Sequence, residues 1–114
     1  MNHMNNKALI IISTSDIGKA QTGTMYAVNA LKHAWLEEVK LVFFGPAESL
    51  LLKDPILQEL LREYQSEEGT AVACKFIADR DDHSEEIEAL GVEVKYVGKL
   101  ISNLIKEGYI PMVW

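Results

Sequence analysis

The 114-residue sequence holds one cysteine, three prolines and seven glycines, and only 8% of it is aromatic. A lone Cys74 cannot form a disulfide within the chain, and a reducing, cytoplasmic compartment is expected. Without a second cysteine there is no CxxC dithiol, which excludes thioredoxin-type chemistry inside one chain. Beside Cys74 stand only His3, His33 and His83, at no metal-ligand spacing, so neither zinc nor any other cofactor is expected. Basic charge is scarce too. Eleven Lys and Arg face seventeen Asp and Glu, for a net charge of −6, which argues against a nucleic-acid partner. No run of 18 apolar residues exists to span a membrane. The opening MNHMNNK lacks the apolar stretch of a signal peptide; residues 1–6 read as a frayed polar terminus, and Met4 offers a second start. Repeats, low-complexity tracts and Pro/Gly-rich linkers are absent, so the chain reads as one domain, 1–114. A domain of this length buries roughly two thirds of its unfolded surface and folds without staples.

What is present is an alternation of two patterns. Residues 8–13, 39–44, 71–75, 92–97 and 109–113 are short, mostly apolar runs flanked by turn residues. They read as strands buried on both faces. Between them apolar residues recur at helical spacing: Thr24, Val28, Leu31 and Trp35; then Ile56, Leu57, Leu60, Leu61 and Tyr64; then Ile87 and Leu90; then Leu100, Ile101, Leu104 and Ile105. Asp54-Pro55 marks a helix start, with Asp as N-cap and Pro at the first helical position. Ser84 is expected to cap the third helix, and Gly91 and Gly108 to stop the third and fourth. A further helical turn fits 47–52. Strands joined by helices of this length must be parallel. The expected fold is a three-layer α/β/α sandwich on a five-stranded, mainly parallel sheet. Pro111 lacks a ladder donor and puts the last strand at an edge.

Ligands of open parallel sheets bind at the carboxyl ends of the strands. That rule selects the loops 13–23, 45–49 and 75–84, and the turn at Gly98. The first loop, with Ser13, Thr14, Ser15 and Lys19, is rich in hydroxyls and opens a helix, which suits an anion or substrate. It matches neither a Walker A nor a GxGxxG motif. Thr22 or Thr24 as a helix cap is its plain reading. Cys74 ends the third strand and Lys75 follows it. A thiol is a nucleophile only as thiolate, a few per cent of the total at neutral pH for an unperturbed cysteine. A cation or a helix starting at Lys75 or Phe76 would raise that share. The plain reading is a small buried hydrophobe. His83 lies in the charged stretch 79–86 and reads mainly as part of a solvated loop, though it offers a base. His33 reads as a surface residue. Trp114 reads as an interface residue or an exposed tail.

Several segments together resemble the DsrE/DsrF-like family of small sulfur-relay proteins, which includes the YchN-like proteins. They are the strand and Ser/Thr/Asp loop at 10–20, the helix leading into Val-Lys-Leu-Val-Phe-Phe-Gly at 27–45, Glu-Gly-Thr-Ala-Val-Ala-Cys-Lys at 68–75, Leu-Gly-Val-Glu-Val at 90–94 and Leu-Ile-Lys-Glu-Gly-Tyr-Ile at 104–110. The resemblance implies a DsrEFH-like α/β/α fold and homo-oligomers (dimers, trimers or hexamers). It also implies a strand-end cysteine, here Cys74, that accepts a persulfide sulfur from a donor protein and passes it to an acceptor. The chain departs from the pattern after the cysteine, where acidic residues replace a small, neutral stretch; acidic neighbours raise a thiol pKa. Two functions follow as expectations. One is a sulfur carrier with Cys74 as nucleophile, Lys75 favouring the thiolate and the Ser13, Thr14, Ser15 and Lys19 segment facing it. The other is a non-catalytic oligomer that binds a small anion, a nucleotide or a partner, with a structural Cys74. A flavin-binding role would rest on sheet topology alone.

Overall fold

A computed structural model describes residues 6–114. Of the segment read as frayed, residues 1–5, with His3 and Met4, lie outside the described residues. Asn6 is tied down, its carbonyl accepting from the Glu37 and Glu38 amides at 2.6 and 3.2 Å. Five strands follow: β1 (Lys7–Ile12), β2 (Glu38–Phe43), β3 (Ala71–Cys74), β4 (Glu93–Lys95) and β5 (Ile110–Val113). Six helices connect them: α1 (Ile17–Lys32), α2 (Ala47–Lys53), α3 (Pro55–Ser66), α4 (Lys75–Arg80), α5 (Ser84–Ala89) and α6 (Gly98–Lys106). The sheet order is β4-β3-β2-β1-β5, and every pairing is parallel. The fold is the expected α/β/α sandwich.

Side-chain alternation divides the core in two. Ala8, Ile10 and Ile12 of β1, with Leu41 and Phe43 of β2, pack against α1, α2, α3 and α5 through residues such as Val28, Leu51, Leu57, Leu61 and Ile87. Leu9, Ile11, Val42 and Val72 point the other way and meet Leu104, with Leu100 and Ile101 beside it on α6. The second layer is thin, because one helix supplies most of it. That corrects the expectation of strands buried on both faces, which holds only for the inner ones. In β4, Glu93 and Lys95 are exposed, and in β5, Ile110 and Val113 are 58% and 66% exposed. β5 lies at the edge, as Pro111 requires, bonded only to β1.

Local signals explain most boundaries. Asp54 caps α3, accepting the Leu57 amide at 3.0 Å, and it also accepts Gln21 Nε2 of α1 at 2.9 Å. Gly91 and Gly108 take positive φ after α5 and α6. Other expectations need correction. Asp16, not Thr22 or Thr24, caps α1, its Oδ1 accepting the Gly18 and Lys19 amides at 2.9 and 3.2 Å. The Thr22 and Thr24 hydroxyls instead donate to the carbonyls of Gly18 and Ala20 one turn back. α1 ends at Lys32, so Trp35 is outside it and 59% exposed, stacked on His33. His33 is a surface residue, as expected. His83, not Ser84, holds the cap position of α5, and the Ser84 hydroxyl donates to Asp79 Oδ1 at 2.5 Å. The stretch 75–84 contains α4 rather than being all loop.

Trp114 is not an exposed tail. It is half-buried, its indole lying on Gly23 of α1 and 6.4 Å from the Tyr26 ring. A Cβ at Gly23 would lie 2.5 Å from Trp114 Cγ and 2.7 Å from Ile12 Cδ1. Both neighbours would have to move within a packed core. Gly23→Ala is therefore expected to lower stability by about 1–3 kcal/mol despite the gain in helix propensity. Chemical denaturation checks this, and an unchanged or higher midpoint would contradict the packing.

Candidate functional site

The carboxyl edge of the sheet gathers the ends of β1, β2 and β3, and the chain leaves β3 and β4 in opposite directions. The segment after β3 packs on the first face through Ala78 and Ile87, whereas α6, after β4, packs on the second through Leu104. β3 and β4 are neighbours, with Cys74 in register with Lys95. Strand ends where adjacent connections diverge to opposite faces are where open α/β sheets place ligands. Cys74 stands at that point. It ends β3, occupies the cap position of α4 without a side-chain hydrogen bond, and is 5% exposed. Its side chain belongs to the second-face cluster, with Val42, Val72 and Val97.

Lys75 opens α4 as expected, but its ammonium is bound to Asp79 at 2.9 Å, which holds it above its ordinary proton affinity. Its charge is committed to that carboxylate and is not free to act on the thiol alone. Ser13 and Thr14 follow β1, and both amides donate to the Trp114 carbonyl oxygen, at 2.8 and 3.1 Å. At the start of α1, where free amides were expected to greet an anion, the Gly18 and Lys19 amides are taken by Asp16. Thr14 Oγ1 accepts the Asp16 amide at 2.9 Å. Ser15 is exposed, and Lys19 stands exposed on the first turn of α1. α1 packs on β1, β2 and α3. Lys19 is therefore not gathered with Cys74.

Glu48 joins the edge together, and nothing in the sequence singled it out. It lies in the first turn of α2, 1% exposed. Its Oε2 accepts the Gly45 amide at 3.2 Å, and its Oε1 has no hydrogen-bond partner among the described residues. Burial raises its pKa from 4.5 to about 7, against the pull of the Gly45 and Cys74 amides. Gly45 has φ +85°, and a Cβ there would lie 3.6 Å from Ser13 Oγ. Ser13, Gly45, Glu48 and Cys74 thus form a row across the ends of three strands. Glu48 approaches the end of β3 from the first face, whereas the Cys74 side chain belongs to the second-face cluster, so the carboxyl and the thiol lie on opposite sides of the sheet edge. A reader of sequence had one clue: Glu48 falls inside a strand-end loop.

A hollow of about 500 Å³ lies on the face that α6 leaves partly open. Val42 and Val72 line it together with Leu100 and Leu104 of α6, and its charged part mixes Lys40 and Lys95 with Glu38, Glu93 and Glu107. At the amino end of the sheet the Tyr109 hydroxyl donates to Glu38 Oε1 at 2.5 Å, and Lys7 reaches Glu38 at 3.5 Å. These contacts lower the Glu38 pKa; burial, then Glu38 itself, push Tyr109 up to about 12. The cluster ties β1 and β2 to the start of β5 and lies at the opposite end from Cys74.

The Glu48 titration links stability to pH. The group's folded pKa, about 7, exceeds the 4.5 of an ordinary glutamate. Its favourable contribution is complete below pH 4.5 and is lost as the pH rises to about 7, because the unfolded chain ionises first. Relative to Glu48→Gln, the wild type is expected to lose on the order of 1–2 kcal/mol across that window, after allowance for screening at the sheet edge. Urea unfolding of both proteins at several pH values measures this. A difference that does not vary with pH would show that Glu48 titrates as an exposed carboxylate.

No known family model matches the chain, and no curated protein matches its sequence. Among solved structures, the chain is similar to a conserved protein of unknown function, BT1422 from Bacteroides thetaiotaomicron. The TM-score is 0.84, over 100% of both chains, at 22% identity. At that identity the likeness establishes a shared fold.

Proposed function

We propose that the protein is a sulfur carrier of the DsrE/DsrF-like kind, working through Cys74. The observation that carries this reading is the position of the one cysteine at the carboxyl end of β3, beside β4, where the two connections diverge to opposite faces. In the proposed step the Cys74 thiolate attacks the terminal sulfur of a donor persulfide. A bond forms between Cys74 Sγ and that sulfur, the donor S–S bond breaks, and its electron pair leaves on the donor thiolate. The proton on the transferred sulfur travels with it, so the exchange needs no external oxidant or reductant. Transfer to an acceptor thiolate is the same step in reverse. In this reading the Ser13–Thr14–Ser15 segment supplies the facing wall of the site. Donor and acceptor are other cytoplasmic proteins, and the carrier works as a homo-oligomer, in which a neighbouring protomer completes the site.

A second reading is a binding protein with a structural cysteine. The 5% exposure of Cys74, inside an apolar cluster, favours it. One experiment separates the two. The native protein is incubated with a persulfide donor and weighed by intact mass spectrometry, beside Cys74→Ser. Sulfur carriage predicts a gain of one sulfur atom that a reductant removes and the variant lacks. Loading of the Cys74→Ser variant would overturn it. No loading, together with a thiol that resists alkylation, would make the binding protein the function.

A further inference from the structure

We propose that β5 is a dimer interface, at which two copies of the chain pair their β5 strands antiparallel about a two-fold axis at Val113 and join two sheets into one. This edge lies opposite the one formed by β3 and β4, and the proposal does not rest on the chemistry of Cys74.

Backbone alternation sets which groups β5 offers. Trp114 turns both of its polar groups inward: its amide donates to the Ile11 carbonyl oxygen at 2.8 Å, and its own carbonyl oxygen accepts the Ser13 amide at 2.8 Å. Alternate residues of a strand point the same way, so Met112 and Ile110 also bond β1, while Pro111 and Val113 face outward. Pro111 has no donor to offer there. Val113 keeps both an N–H and a C=O, and no strand lies beyond β5 to meet them. In an antiparallel pair, two directly opposed residues that face each other exchange both hydrogen bonds. A two-fold axis at Val113 needs only that one residue from each chain, so it uses the single outward donor of the strand in full. An extended peptide from another protein would seek a donor at every second residue and would meet Pro111 instead.

The side chains favour a second copy as well. Ile110 and Val113 are well exposed, and no residue of β5 is charged. The other edge differs: β4 shows Glu93 and Lys95 to solvent, charges of the kind that keep an edge from pairing. Each copy carries a net charge of −6, so two copies can meet closely only through an uncharged face. In this register Met112 lies opposite Trp114 of the second copy. Trp114 is also the end of an aromatic row, 6.4 Å from the Tyr26 ring, which lies 6.3 Å from the exposed Trp35. α1 packs mainly on β1, β2 and α3 and does not seal β5. A pair of short strands is marginal alone, and these apolar side chains supply the rest of the contact.

Sedimentation velocity of the full chain, over about 5 to 200 µM, is the test. The wild type is expected to sediment as a dimer that dissociates on dilution. Val113→Pro removes the outward donor and, as at Pro111, no bond within the chain. It is expected to weaken the dimer at least about tenfold, through the loss of both reciprocal hydrogen bonds. Val113→Lys sets two ammonium groups opposite each other at the axis and is expected to do the same, whereas Val113→Thr keeps the dimer. Hydrogen exchange gives a second readout, in which protection of the Val113 amide rises with protein concentration. A wild type that stays monomeric throughout overturns the proposal. So does an oligomer that Val113→Pro and Val113→Lys leave intact, since its contact lies elsewhere. Should Val113→Pro not fold, Val113→Lys and the Val113 amide decide. Persulfide loading of Cys74 is scored separately, and its absence would remove the sulfur reading without touching the interface.

Discussion

Strand β1 presents apolar side chains from Ala8 to Ile12, and each of them must be covered. A strand buried on both faces can sit only inside a sheet with helices above and below. β2 and β5 pair with it on either side, so every other strand is placed by reference to it. The two faces are not served equally. Three successive connections run back over one face, and α6 alone crosses the other. Direct neighbours β3 and β4 therefore send the chain to opposite faces. That divergence beside Cys74 is a by-product of how β1 had to be buried.

The same geometry decides which polar groups become available. At the end of β1 the Ser13 and Thr14 amides are consumed by the Trp114 carbonyl, which continues the edge-strand pairing past its last residue pair. At the ends of β2 and β3 no further strand residue arrives, and Glu48 fills the gap from the first turn of α2. A backbone carbonyl would have satisfied those amides without titrating. A carboxyl in that position makes the sheet edge responsive to protons, at a cost in stability once it ionises.

The inner strands were legible because continuous β-branched runs have few other readings, and Asp54-Pro55, Gly91 and Gly108 each act through strictly local backbone chemistry. Asp16 was harder to read. It ends a run of hydroxyl residues that all make competent caps, and Gly18 in the first turn disguises the start of α1. Trp114 escaped because its partner, Gly23, is remote in sequence, and a glycine advertises turns rather than a seat for an indole. Glu48 was opaque for a deeper reason. A glutamate near a helix start normally faces water and the helix dipole, and only the assembled sheet edge shows that water is excluded there. Cys74 was placed correctly at a strand end, yet its low exposure depends on side chains from several other elements.

The thin second layer also sets a gradient of local stability. β1 and β2 are sealed between layers, and opening them means unfolding the molecule. β4 has three residues, a single strand neighbour and exposed side chains at Glu93 and Lys95. Its amides can meet solvent through a local excursion that leaves the centre of the sheet intact, the kind of opening that hydrogen exchange registers far below the global free energy. Because β4 pairs with β3 up to Lys95 opposite Cys74, the most weakly held strand of the sheet is also the one whose excursions would uncover the thiol.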